Sequence, residues 1–238
     1  MGTNSFESRQ SISMTPDGSV QWLVQDMPNL YSTLYLRPPD GTLHEPDSAD
    51  IGNLVAFAQH GTQVAPNMER LSRGTYGTAY RMGNFANKRA LNRNEHDEQV
   101  GLGAAQAMVA LNEGLRRLGS TKITAPVPYA VLLPGKDAPD SVRTSMLMAY
   151  VTGSTPSHGR NIGLPSAKKR QRIYDAAIQQ VGAEPGDIHY DDSVENLKLR
   201  RRFGVVRSVT KLDVAAQPSF VRKMGREPSR AYQDPDWT

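Results

Sequence analysis

The fold is decided by the stretch Ile188–Leu199, IHYDDSVENLKL, in which a polar loop leads into a short apolar strand. His189, Asp191 and Asn196 have the spacing H-x-D-x-x-x-x-N. Phosphoryl transfer needs a carboxylate that accepts the proton of the attacking hydroxyl, and a side-chain oxygen a few residues later that holds Mg²⁺. Asp191 and Asn196 supply these groups, and His189 is expected to brace the loop from behind. The stretch therefore indicates a phosphotransfer site.

A polar turn before a strand is the simpler interpretation of the same residues, because Asp, Ser and Asn favour turns through local hydrogen bonds. A spacing pattern of three residues also arises often by chance. The rest of the chain decides between the two, since the other parts of such a site must then occur in a fixed order.

Length and composition limit the class of protein. A chain of 238 residues suits one domain or two small ones, and a hydrophobic content of 38% indicates that part of it is unpacked. The net charge of +4 suits an anionic ligand. The basic clusters Lys168–Arg170 and Arg200–Arg202 lack an aromatic stacking pattern, which favours solvated surfaces over a nucleic-acid site. The absence of cysteine excludes disulfides and thiolate chemistry. No apolar run has the length of a membrane span, and a soluble protein is expected.

Residues 1–60 are expected to form a separate region. Met1–Ser19 is polar and without period, which predicts disorder. Large apolar residues in Trp22–Leu36 predict a partly ordered extension. Ile51–Ala58 fits a short helix or a buried strand, and periodicity does not separate the two. Phe6 stands where N-myristoylation needs Ser or Thr, so lipidation of the N-terminus is left open.

Leu71–Tyr80, LSRGTYGTAY, predicts a glycine-rich hairpin whose backbone amides approach phosphates closely. Ser72 replaces the first glycine of G-x-G-x-x-G, and a generic hairpin remains an alternative. The predicted nucleotide contacts of this hairpin are Ser72, Gly74, Thr75, Tyr76 and Gly77.

Phe85–Lys88, FANK, predicts the strand that follows. Strand alternation puts Ala86 and Lys88 on one face, under the base and the phosphates of a nucleotide. Lys88 is the only lysine before Lys122, so it is the one candidate for gripping the phosphates. The short spacing implies a hairpin turn at Gly83–Asn84.

A helix is predicted from an N-cap at Asn94 to Gly119, with acidic residues in its first turn. Glu98 is the preferred carboxylate to pair with Lys88, because it shares a helix face with apolar residues. Glu95 and Glu113 remain alternatives.

Two further strands, Pro126–Leu133 and Thr144–Val151, are predicted after this helix. The second strand, with Thr152-Gly153 after it, resembles the hinge sequence of protein kinases. That resemblance implies that Met148 lies at the back of the adenine site and that Ala149 and Val151 offer backbone groups to the base. A basic amphipathic helix over Ser166–Val181 then precedes the H-x-D stretch. Two short strands, Leu197–Arg201 and Val205–Thr210, separate Asn196 from Asp213. Asp213 stands where the aspartate of the kinase Asp-Phe-Gly motif belongs, and this resemblance implies that it is the second Mg²⁺ ligand.

In this order the motifs resemble those of protein kinases from about residue 68 to 215. The hairpin is similar to the kinase glycine-rich loop, FANK to V-A-x-K, and Asp213-Val214-Ala215 to Asp-Phe-Gly. The resemblance implies an α+β, protein-kinase-like fold at 61–238. Its N-lobe (68–151) would hold a five-stranded sheet with one helix, and its C-lobe (152–238) would be truncated and minimally helical, because only 25 residues follow Asp213. It also implies ATP and Mg²⁺ as cofactors.

The truncation resembles the minimal kinases that bacterial pathogens secrete as type III effectors. The implied activity is that of a protein kinase, Ser/Thr-specific on frequency alone, acting in the host cytoplasm. The preferred host partner is the chaperone HSP90, and a ubiquitin-conjugating enzyme is the second candidate. Tyr190 replaces the arginine of His-Arg-Asp, which implies an enzyme without a phosphate-dependent switch. Pro218–Thr238 is expected to help form the substrate platform.

Two other functions fit part of the sequence. Small-molecule kinases of the aminoglycoside phosphotransferase type also use H-x-D-x-x-x-x-N, but they need a large helical C-lobe. A nucleotide-binding pseudokinase or interaction module fits the missing first glycine and the altered Asp-Phe-Gly.

Overall fold

A computed structural model describes residues 9–13, 20–27, 31–36, 46–61, 68–74, 76–91, 101–135, 137–156, 162–190, 193, 196–203, 205–212 and 214–216. The elements are β1 (Arg9–Ser13), β2 (Val20–Met27), β3 (Tyr31–Leu36), α1 (Ser48–His60), β4 (Glu69–Arg73), β5 (Gly77–Met82), β6 (Phe85–Ala90), α2 (Leu102–Arg117), β7 (Ile123–Thr124), β8 (Pro128–Pro134), β9 (Ser145–Ala149), α3 (Ala167–Gln180), β10 (Ile188–Tyr190), β11 (Leu197–Arg202), β12 (Val205–Lys211) and β13 (Val214–Ala216).

Eight of the strands form one sheet in the order β1-β2-β3-β8-β9-β6-β5-β4. Every neighbouring pair in it is antiparallel. The five predicted strands, β4, β5, β6, β8 and β9, are confirmed as an antiparallel set. Strands β1–β3 extend the sheet beyond them, and β1 comes from the segment that was expected to be disordered. Residues 1–8 and 14–19 of that segment lie outside the described residues.

The central strands are buried on both faces because a helix covers each face. Phe85 and Leu147 pack with Leu54 of α1 on one face. Their strand neighbours Ala86 and Met148 pack with α2 on the other. The expectation of a single helix against the sheet is therefore wrong, and Ile51–Ala58, left open between helix and strand, is part of α1.

α1 begins at a capping box that was not predicted from the sequence. The Asp47 side chain accepts hydrogen bonds from the N–H groups of Ala49 and Asp50, both at 2.9 Å. The Asp50 carboxylate accepts in return from the Asp47 N–H at 3.0 Å. This reciprocal pair satisfies N–H groups that a helix start otherwise leaves without partners.

α2 begins later than predicted. The helix starts at Leu102 after Gly101, which makes no side-chain cap hydrogen bond. Asn94, the predicted N-cap, lies outside the described residues. The acidic residues after Asn94 fit the sequence preference for a helix start, but that preference does not identify Leu102 as the first residue of α2.

The C-terminal part contains α3 and two small sheets. α3 begins where predicted, with the Ser166 hydroxyl accepting from the Lys169 N–H at 3.2 Å. β11, β12 and β7 form a three-stranded sheet, and β10 pairs with β13. The predicted apolar stripe of α3 is buried. None of the described helices is long and apolar enough to cross a membrane.

α2 and α3 approach each other more closely than side chains normally allow. A Cβ added at Gly114 of α2 would overlap the backbone carbonyl of Ala177 of α3. Only glycine fits at this crossing. The crossing is reinforced by Arg117 of α2, which donates to the Gln180 carbonyl at 2.9 Å.

Gly114→Ala is therefore expected to destabilise the chain, by about 2–3 kcal/mol, because its methyl group meets backbone and cannot be accommodated by a side-chain rotation. The measurement is chemical unfolding in urea. Gly52→Ala is the matched control: Gly52 also lies inside a helix, with no atom within 4 Å of an added Cβ. It is expected to stabilise the chain by about 0.5–1 kcal/mol. Equal effects of the two variants would contradict the close crossing.

Candidate active site

A cleft of about 430 Å³ opens between the glycine-rich end of the sheet and the β11 region. The β4–β5 hairpin and β6 form one wall, and the segment after β9 forms the back. Its lining residues are Leu71, Ser72, Arg73, Gly74, Tyr76, Gly77, Ala79, Ala86, Lys88, Pro126, Met148, Ala149, Tyr150, Val151, Thr155, Asn196, Lys198 and Leu212. Ten of the predicted site residues thus border one cavity, although they come from four separate stretches of the chain.

The hairpin between β4 and β5 closes tightly. The Gly74 N–H donates to the Gly77 carbonyl at 2.9 Å. A Cβ added at Gly74 would meet only that carbonyl oxygen, at 3.9 Å. Internal packing therefore does not require glycine at position 74, whereas close approach of a ligand would. Thr75 lies outside the described residues.

β6 directs Ala86 and Lys88 into the cleft, as strand alternation predicted. Ala86 pairs in register with Met148 and Lys88 with Met146, so β9 lies beside β6 at both positions. The predicted turn at Gly83–Asn84 joins β5 to β6, and Gly83 adopts a φ of 57°. This conformation favours glycine, which explains the residue at that position.

The segment after β9 leaves a limited set of backbone groups for a ligand. The Ala149 N–H donates to the Val127 carbonyl at 2.8 Å, and the Tyr150 N–H to the Asn84 carbonyl at 2.9 Å. In the described part of the chain no hydrogen bond from the Val151 N–H is found. The donor that faces the cavity is therefore expected to be that of Val151.

Asn196 lies where the cleft meets the loop after β10. Its side-chain Nδ2 donates to the Ser193 hydroxyl at 3.1 Å, and its N–H donates to the Ser193 carbonyl at 3.0 Å. Its carbonyl accepts from the Leu212 N–H at 2.8 Å. Asn196 is thus tied to the residue that precedes Asp213.

Four of the predicted site residues, Thr75, Glu98, Asp191 and Asp213, lie outside the described residues, as does the alternative Glu95. Glu113, the other alternative partner of Lys88, binds elsewhere. It accepts hydrogen bonds from Arg116 at 2.6 and 2.7 Å and from Arg117 at 2.7 Å. Burial alone would raise the pKa of Glu113, but these two guanidinium groups outweigh it and lower the pKa.

Tyr190, rather than His189, is the residue before the loop that packs into the core. Strand alternation in β10 turns Ile188 and Tyr190 inward and leaves His189 exposed. The Tyr190 ring stacks on Tyr174 of α3, with ring centroids 4.8 Å apart. Burial, with smaller effects of Asp175 and Tyr174, raises the pKa of Tyr190 well above its usual value, so its hydroxyl stays neutral. The expectation that His189 packs behind the loop is therefore corrected.

β10 and β13 place the chain on either side of the loop next to each other. Tyr190, which precedes Asp191, pairs in register with Val214, which follows Asp213. Neighbours in an antiparallel pair have Cα atoms about 4.5–5.5 Å apart. The two predicted acidic residues are therefore attached to adjacent points of one ladder.

Lys198 and Thr155 border the cleft and were missed in the sequence. Leu197 and Leu199 of β11 are buried in a cluster with Val209, so alternation turns Lys198 to the other side, into the cavity. Its ammonium donates to the Thr155 hydroxyl at 3.3 Å. The signal was present, because Lys198 follows Asn196 by two positions in a predicted strand.

No known family matches the chain, and no curated protein matches it. Among solved structures, that of "Legionella pneumophila Lpg2603 kinase bound to IP6" is similar, with a TM-score of 0.37 and 11% sequence identity. The similarity covers 91% of this chain and 65% of that one, so the chain spans about two thirds of that structure.

Replacing Tyr190 by arginine, the residue of the kinase triplet, is expected to lower the free energy of unfolding by about 3 kcal/mol. The change removes a buried aromatic stack and buries a charge in its place. Tyr190→Phe keeps the stack and is expected to cost less than about 1.5 kcal/mol. Urea unfolding of both variants tests this, and a stable Tyr190→Arg would show that the loop does not depend on the stack.

Proposed function

We propose that the chain is an ATP-dependent kinase. The observation that carries the proposal is the single cleft that brings together the glycine hairpin, Lys88, the segment after β9 and Asn196. Each group has one task in phosphoryl transfer, and the sequence order is that of a kinase. A general ligand pocket would need no such set.

In the proposed complex the adenine lies between Ala86 and the β11 side of the cleft. The Val151 N–H and the Ala149 carbonyl are its backbone partners, because the Ala149 N–H is already bonded to Val127. The phosphates extend toward Gly74 and Lys88. The Lys88 ammonium then neutralises phosphate charge, and Glu98 is the proposed carboxylate that orients it.

The donor chemistry fits Mg²⁺, which prefers hard oxygen ligands. The Asn196 Nδ2 bonds to Ser193, so the Oδ1 atom is the one suited to a cation. The pairing of Tyr190 with Val214 supports Asp213 as the second ligand and Asp191 as the base, because it fixes their chain neighbours side by side. When bound, Mg²⁺ would neutralise phosphate charge.

The proposed reaction transfers the terminal phosphoryl group of ATP. A substrate hydroxyl oxygen forms the new bond to the γ-phosphorus, while the bond from that phosphorus to the β,γ-bridging oxygen breaks and ADP leaves. The hydroxyl proton passes to the Asp191 carboxylate. Positioning and charge stabilisation supply the acceleration.

The finer assignment is also a proposal, and sequence resemblance supports it. We propose a protein kinase, Ser/Thr-specific, that is secreted as a bacterial effector and acts on a host protein. HSP90 is the first candidate substrate, and a ubiquitin-conjugating enzyme is the second candidate partner. The polar composition of Met1–Ser19 and the resemblance of the motifs to those of effector kinases motivate this choice.

Asp191→Asn is expected to lower phosphoryl transfer by about 10²–10⁴-fold, because it removes the proposed general base. Asp192→Asn is the matched control and is expected to keep most of the activity, since only one carboxylate has the H-x-D spacing. The assay follows radiolabelled γ-phosphate of ATP into proteins of a eukaryotic lysate and into purified HSP90. Equal activity of both variants would refute the assignment of Asp191. If lysate proteins were labelled but purified HSP90 was not, the kinase assignment would stand and HSP90 would be excluded as the substrate.

Substitutions at Lys198 test the placement of the adenine, because the aliphatic stem of Lys198 lines the proposed adenine site. Lys198→Met keeps an unbranched apolar side chain, so ATP affinity is expected to change less than about threefold. Lys198→Ser removes the stem and is expected to weaken ATP binding about tenfold, or ~1.4 kcal/mol. Calorimetric titration with ATP measures both. Equal losses in the two variants would show that the ammonium, and not the stem, matters.

A further inference from the structure

The β11–β12 hairpin ends in a tip that the cleft does not use. Its last pair in register is Arg202 with Val205, and Phe203 follows directly after Arg202. Phe203 is 88% exposed, and Ile162 is 63% exposed. Ile162 is held beside the start of β12, because its carbonyl accepts a hydrogen bond from the Val206 N–H at 2.9 Å. The tip therefore presents two large apolar side chains to solvent.

The backbone of Phe203 is strained. Its φ is 53°, and it is the one non-glycine residue with a positive φ in the described part of the chain. Two-residue hairpin loops that need this conformation favour Asn, Asp or Gly, whereas a bulky residue there is an outlier. Neither backbone preference nor burial explains phenylalanine at this position within the part of the chain that the structure describes.

Cations surround the tip. Leu197–Lys211 contains six Lys and Arg residues and no Asp or Glu. Arg200, Arg202 and Arg207 are exposed, and none of the three forms an ion pair within the part of the chain that the structure describes. Arg202 lies over the Phe203 ring, 5.3 Å from its centroid. The apolar tip is therefore framed by guanidinium groups.

We propose that this hairpin tip, formed by Arg200–Phe203, Arg207 and Ile162, docks on an anionic phospholipid bilayer. Apolar side chains at a basic surface insert into the boundary between headgroups and acyl chains, while Arg binds the headgroup phosphates. The inference does not depend on phosphotransfer activity, because no residue of the tip borders the cleft.

The shape of the tip favours a bilayer over the other anionic partners. Phe203 projects from a turn, and a soft surface receives such a projection without a matching pocket. A single-stranded nucleic acid is bound by several stacked aromatic side chains. Phe203 is the only aromatic residue in Leu197–Lys211, so the sequence provides no such platform.

The test is co-sedimentation of the full-length chain with vesicles of phosphatidylcholine alone and of phosphatidylcholine mixed with phosphatidylserine. We expect sedimentation with the anionic vesicles only, weakening as salt is added. Phe203→Asn is expected to lower vesicle affinity about tenfold or more. It should leave the melting temperature unchanged or higher, since Asn adopts the left-handed conformation more easily. That combination separates docking from a folding defect.

Two variants with equal charge loss test the role of the arginines. Arg202→Ser with Arg207→Ser is expected to reduce binding about tenfold or more. Lys168→Ser with Arg172→Ser, on the exposed side of α3, is expected to retain it. Equal losses in these two variants would overturn the proposal, because binding would then follow net charge alone.

Three further outcomes would also overturn it. These are no sedimentation of the wild-type chain with anionic vesicles, full retention of binding by Phe203→Asn, and displacement from vesicles by inorganic pyrophosphate or RNA at matched ionic strength. Displacement would mean that the tip binds free phosphate or nucleic acid instead of a bilayer.

Discussion

The close crossing of α2 and α3 at Gly114 is the constraint on which the rest of the structure depends. α2 is buried on two sides, by the sheet and by α3, and one hydrophobic cluster runs through all three. The helix can serve both neighbours because Ala104, Ala107 and Ala110 are small, and because Gly114 lets the α3 backbone come close. The wall of the cleft that β6 and β9 form is therefore fixed to the same core as α3, whereas β11 on the other side packs in a cluster of its own.

This core also positions the loop that carries the H-x-D spacing. The Ala183 N–H donates to the Ile178 carbonyl at 3.2 Å, which turns the chain at the end of α3 toward β10. Tyr190 then stacks on Tyr174, and β13 pairs with β10. The hydrogen bond from the Leu212 N–H to the Asn196 carbonyl then joins the chain before β13 to the start of β11. Side chains for phosphotransfer need positions accurate to a fraction of an ångström, and such accuracy requires this kind of rigid support.

Local sequence was sufficient wherever local geometry decides the outcome. Alternation in β6 and the turn residues Gly83–Asn84 follow from neighbouring residues alone, and both were predictable. The start of α2 at Leu102 was not, because Gly101 before it makes no side-chain cap hydrogen bond by which the sequence could locate it. The sequence left Ile51–Ala58 open between helix and strand, because its apolar residues fit both periodicities over so short a window.

The inward direction of the Tyr190 side chain shows a second limit of prediction from the sequence. The spacing H-x-D drew attention to His189, but in a strand the neighbouring positions point to opposite faces. Whichever of the two faces the core is decided by α3, which contributes Tyr174 far from the motif in sequence. Recognising the motif therefore identified the loop and not the side chain that supports it.

The stacked Tyr190 also changes what can regulate the loop. An arginine at this position carries a charge that must be met by an anion, and an added phosphate can then order the loop. A neutral ring held in the core has no such dependence, and its raised pKa keeps it neutral as the pH varies around 7. Support for the loop is thus built into the packing of α3 and is present whenever the chain is folded. A phosphate added elsewhere in the chain would find no positive charge at position 190 to engage, because the residue there is tyrosine.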